Sequence, residues 1–123
     1  ISTVPSSFAV LSGDDALTLP LIGLGGRGII SVISNQIPAE LTKLAQAALS
    51  GDFETARKLQ CKYQDLMDVN FIESNPIPVK YGMSLMGLVE PVWRLPMTPP
   101  QPSSKQKIEA ALQKAGLLAG AHA

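Results

Sequence analysis

Cysteine, histidine and aromatic residues are scarce in this chain, and each scarcity closes a class of function. A single cysteine, Cys61, among 123 residues leaves no internal disulfide. A single histidine, His122, gives no histidine-rich metal site, so neither a metal nor a cofactor is expected. Aromatics are 5% of residues, and ten basic residues are balanced by ten acidic ones without a run of like charge. Such a chain presents no nucleic-acid surface. Apolar stretches are broken by glycine, proline or charge before the roughly 20 residues that a bilayer crossing needs, so no membrane association is expected. No basic segment followed by an apolar one opens the chain, so no signal peptide is read and a cytoplasmic location is expected. What is present in quantity is apolar side chain, 46% of residues, enough for a core of ordinary domain size.

The organising stretch is residues 12–35, SGDDALTLPLIGLGGRGIISVISN. Two short apolar runs flank a helical segment: Phe8-Ala9-Val10-Leu11 before it and Ile29-Ile30-Ser31-Val32-Ile33 after it. Neither run alternates, the pattern of strands buried on both faces. Strand, helix and strand make a βαβ unit with parallel strands. The carboxyl ends, Ser12-Gly13 and Ser34-Asn35, then open on one side, where parallel sheets hold ligands. Gly13 suits a sharp turn requiring positive φ. Asp14 and Asp15 start the helix, where capping is favoured over direct catalysis. The glycines at 23, 25, 26 and 28 precede a strand, the reverse of a phosphate cradle. They let the helix end and the backbone pass close to its neighbour.

Helices are predicted beyond this unit. Pro38 opens one through about residue 50, stopped by Gly51. Asp52 caps a long one over about 53–74, with Phe53, Ala56, Tyr63, Met67 and Phe71 along one stripe. Asn75-Pro76 opens a third that Gly87 stops. An apolar extended segment, 88–97, leads to a proline-rich connector. Ser103 and Gln106 form a capping box for a last helix to about 115. Residues 119–123 read as a frayed tail in which His122 is solvated. The order is one αβ portion, residues 1–51, and one helical portion, residues 52–123. Two central strands alone would expose unpaired edges, so a segment of a longer chain is expected.

Several motifs now fall into sequence: SGDD after a strand, GLGGRGIISV with SN following, NPIPVK at 75–80, RLPMTPP at 94–100 and AGLL at 115–118. Together, over about residues 8–118, they resemble the C-terminal half of the dihydrodipicolinate synthase family. The resemblance implies an α/β fold. Residues 1–51 would be the C-terminal part of a (β/α)8 TIM barrel, its strands seven and eight with their helices, and residues 52–123 an all-α C-terminal domain. It implies a pyruvate pocket lined by Gly13 and touched by Ile30, with Asp14 and Asp15 supporting those residues from behind rather than touching the substrate. It implies condensation of pyruvate with L-aspartate semialdehyde through a lysine Schiff base, in lysine and diaminopimelate biosynthesis, by a homotetramer.

A Schiff-base lysine must be unprotonated, hence desolvated at a strand end. Lys43, Lys58, Lys62, Lys80, Lys105, Lys107 and Lys114 all lie on predicted helices instead. In the family that lysine, the proton-relaying tyrosines and a GTTGE-type loop belong to the N-terminal half. No catalytic residue is therefore assigned here, Tyr63 and Tyr81 included, and the chain alone is expected to be inactive. Its expected partners are the N-terminal half of the same protein or a copy of itself. Sister pyruvate-dependent aldolases, of N-acetylneuraminate lyase or keto-deoxy-sugar acid aldolase type, remain alternatives, as does a non-catalytic helical interaction module.

Overall fold

The computed structural model describes residues 1–118; His122 and the expected tail lie outside them. Two strands, β1 (Leu11–Ser12) and β2 (Gly28–Ile29), pair in parallel, Leu11 opposite Gly28 and Ser12 opposite Ile29. Five α-helices complete the order: α1 (Thr18–Gly23), α2 (Pro38–Leu49), α3 (Phe53–Val69), α4 (Ile77–Leu85) and α5 (Pro102–Lys114). Strand, helix, strand and four further helices is the order that periodicity predicts. Two compact units result, Ile1–Gln64 and Asp65–Ala123.

In the first unit the ladder is extended by the Arg27 amide donating to the Val10 carbonyl at 2.8 Å and the Ile30 amide to the Ser12 carbonyl at 2.8 Å. The strands are shorter and wetter than the apolar runs suggest. Phe8 is 60% exposed, Leu11 44% and Ile30 70%, while Ser12 and Ile33 are buried. Among the described residues the sheet has two strands, so each pairs on one side only and regular pairing stops early. The core lies under α1 and α2, where Ile22, Ala48 and Ala56 are buried against Leu19, Ala45 and Ala47. On α2, Leu41, Leu44 and Ala48 follow the helical period and are buried. Each of the two leucines contributes about 1.5–3 kcal/mol when fully covered.

Glycine shapes the descent from α1 into β2. A Cβ on Gly26 would lie 2.8 Å from the Leu21 carbonyl oxygen, the close backbone approach that the sequence implies. Gly13, by contrast, is not among the glycines with positive φ, and a Cβ there would meet nothing within 4 Å. The turn after β1 needs no left-handed residue because Ser12 closes it: the Asp14 amide donates to Ser12 Oγ at 3.2 Å, and that hydroxyl donates to the Asp14 carbonyl at 2.7 Å.

In the second unit α4 packs on α5. Ile77 and Val79 are buried from α4, and Ser104, Ile108, Ala111 and Leu112 from α5. The Tyr81 hydroxyl donates to Glu109 Oε1 at 2.6 Å, and Lys105 lies over the Tyr81 ring, 5.6 Å from its centroid. Lys114 pairs with Asp65. Two helix starts differ from expectation. No capping box forms at Ser103, which lies inside α5; Pro102 opens that helix after Gln101 instead. The Asn75-Pro76 bond is cis, and α4 begins after it, with Pro78 in the first turn. α3 stops at Val69, so Phe71 lies beyond it, 42% exposed.

Candidate functional site

Residues 13–15 follow β1 and residues 30–33 follow β2, so both segments leave the same end of a parallel ladder. Since the Ile30 amide donates to the Ser12 carbonyl, Ile30 stands one register step beyond the last paired residues, level with Gly13. The structure thus brings these two sequence-selected residues together at the carboxyl ends of the strands. Gly13 is exposed, and the Ile30 side chain projects into solvent.

The two aspartates part company. Asp14 is exposed and acts as a cap: its Oδ1 accepts from the Ala16 amide at 2.9 Å, opening a 3-10 turn at Asp15–Leu17. Asp15 is 1% exposed and reaches across to the other strand. Its Oδ2 accepts from the amides of Val32, at 3.1 Å, and Ile33, at 2.9 Å, and its Oδ1 from the Ser31 hydroxyl. Ser31 Oγ in turn accepts from the Ser34 amide at 2.9 Å. Capping therefore describes Asp14 alone.

Ser12 and Ser31 are the polar side chains at this strand end to which the sequence assigned no role. The signal was available: a serine inside the apolar run IISVI must find a partner when that run packs. What periodicity could not supply was the identity of that partner, sixteen residues upstream.

Beside β2 runs a groove of about 340 Å³ whose apolar wall is Ile29, Leu41, Ala45 and Leu49 and whose polar lining includes Arg27, Ser31, Ser34, Thr42 and Gln46. Neither Gly13 nor Ile30 lines it. Every lysine of the chain sits on one of α2 to α5, and none follows a strand. The arrangement offers a polar turn, a clamped backbone and an apolar wall, without a nucleophilic amine. Among the described residues no group of three or more His, Cys, Asp or Glu could hold a metal ion. Nor is any helix among them long and apolar enough to cross a membrane.

The model of the dihydrodipicolinate synthetase family matches residues 1–115. The 4-hydroxy-tetrahydrodipicolinate synthase of Koribacter versatilis is 51% identical over 117 residues, 95% of this chain and 39% of that protein. The protein of the same name from Chlorobium chlorochromatii is 48% identical over 114 residues, 93% of this chain and 38% of that one. Among solved structures, the dihydrodipicolinate synthase of Aquifex aeolicus superposes with a TM-score of 0.91 at 46% identity, covering 94% of this chain and 40% of that one. The Thermotoga maritima enzyme of that name superposes with a TM-score of 0.88 at 40% identity, covering 92% and 38%. The chain therefore spans about two fifths of the relatives it matches.

Proposed function

The chain belongs to the dihydrodipicolinate synthetase family, and from that premise we propose that it is the C-terminal part of a 4-hydroxy-tetrahydrodipicolinate synthase. The intact protein condenses pyruvate with L-aspartate semialdehyde, the step that feeds lysine and diaminopimelate biosynthesis. β1 and β2 are strands seven and eight of its barrel, and the groove beside β2 takes apolar residues of the missing portion. The reaction starts when an unprotonated lysine amine, supplied by that portion, adds to the pyruvate ketone and expels water.

This chain supplies wall rather than nucleophile. Gly13 leaves open space at the turn, where a Cβ would meet nothing and a small keto acid fits. Ile30 offers an apolar surface to the methyl end of pyruvate. The observation that carries the reading is the level placement of Gly13 and Ile30 at the carboxyl ends of paired parallel strands, in a chain matched by the family over residues 1–115.

Borohydride reduction in the presence of pyruvate tests it. The intact protein gains a reduced pyruvate adduct on a lysine outside the 123 residues, and the chain alone gains none. An adduct on any lysine of this chain, or no adduct on the intact protein, overturns the assignment.

A further inference from the structure

One carboxylate joins the ends of the two strands. Asp15 takes no part in capping its own turn; both its oxygens are spent on donors of residues 31–33, sixteen to eighteen positions away. Ile30 immediately precedes those donors. Its backbone is held on one side by the Ile30 amide on the Ser12 carbonyl and on the other by the clamp that follows. Ser12 closes the Gly13 turn from the same side. Gly13 and Ile30 are thereby registered to each other through Ser12 and Asp15.

We propose that Asp15 is a positioning residue for keto-acid binding: by fixing the backbone of residues 31–33 it sets where Ile30 stands relative to Gly13. The inference rests on the reading of this strand end as a pyruvate pocket. Three donors meet a single carboxylate, two of them backbone amides that have no side-chain substitute. Asp15→Asn keeps the shape but removes the charge from all three bonds: its oxygen still accepts from the two amides, and its NH2 turns to the Ser31 hydroxyl, which must then accept. Neutral bonds hold the amides of residues 32 and 33 more weakly than charge-assisted ones, and the segment they release adjoins Ile30.

Steady-state kinetics and borohydride trapping on the intact protein test this. Asp15→Asn raises KM for pyruvate about tenfold or more, the scale of one lost charge-assisted hydrogen bond, with kcat changed about threefold at most. Ser31→Ala, which keeps the carboxylate and both amide bonds, gives a smaller rise and reports even if Asp15→Asn fails to fold. In the double variant the Ser31 effect shrinks, because the two residues act through one bond. Glu54→Gln, an equal charge change on an exposed residue of α3, leaves KM unaltered. A lowered thermal midpoint with unchanged KM in both Asp15→Asn and Ser31→Ala overturns the positioning role. If the unsubstituted protein neither traps pyruvate nor condenses it, the functional reading fails instead.

Discussion

At Gly26 an added Cβ would lie 2.8 Å from the carbonyl oxygen and 2.9 Å from the Cγ of Leu21. The first of these atoms belongs to the backbone that ends α1 and accepts the Gly26 amide at 2.9 Å, so it has no rotamer by which to withdraw. Overpacking of this kind costs about 1–3 kcal/mol. At Gly13 the same substitution meets open space. In the intact protein, Gly26→Ala therefore lowers the thermal midpoint clearly, whereas Gly13→Ala shifts stability by about 0.5 kcal/mol or less. Any loss of pyruvate binding in Gly13→Ala then reports on the proposed pocket and not on folding. A Gly13→Ala protein as unstable as Gly26→Ala would contradict this. Paired thermal melts decide it. The same pair marks what residue-level reading achieves: glycine between α1 and β2 signals a close approach, but which glycine makes it depends on where the backbone passes.

Helix α4 is tied to α5 by a phenol and a carboxylate, Tyr81 and Glu109. Burial first, then the hydrogen bond to Glu109 and its charge, push the Tyr81 phenol up to about 12 from 10.0. A raised folded-state value means that the contact contributes stability throughout the range below 10 and loses it as pH climbs toward 12. Ultraviolet titration of the phenolate in unsubstituted and Tyr81→Phe proteins checks the sign. The difference between the two curves rises near pH 12, and an ionisation at 10 or below refutes the contact. Helix ends were written plainly in the sequence. Gly51, Gly87 and Gly116 each follow a helix with φ between 74° and 86°, and Asp52 does cap α3, its Oδ1 accepting the Thr55 amide at 3.0 Å. Hydrogen bonding by the Thr55 side chain first, and by its amide second, holds the Asp52 carboxyl below the ordinary carboxylate value. Strand extent was not legible in the same way. A helix closes its hydrogen bonds within a few residues, but a strand is only as long as its neighbours, and neighbours lie elsewhere in the chain. The Asp15 clamp escaped for the same reason: its start was visible as SGDD, and its partners were not.

For the molecule as a whole the wet apolar face is the feature with consequences. Phe8, Leu11 and Ile30 are 60%, 44% and 70% exposed around a sheet that has one free edge on each strand. Covering the exposed part of three such side chains gives about 2.5–5 kcal/mol, at the low end of the roughly 4–15 kcal/mol that association costs in lost translational and rotational freedom. A second copy of this chain, with nothing shaped to fit, therefore pairs weakly. A polypeptide that adds strands to both edges and fills the groove beside β2 covers far more surface for the same association cost. The isolated chain is expected to associate in a concentration-dependent way by size-exclusion chromatography. Adding the separately prepared amino-terminal portion of the same protein converts it into a defined complex that traps pyruvate under borohydride. Leu11→Lys, which sets a charge on that face, weakens both forms of association. A sharp monomer across the whole concentration range that ignores the amino-terminal portion would show the exposed face to be stable in water, and would remove the reason for assigning β1 and β2 to the interior of a barrel.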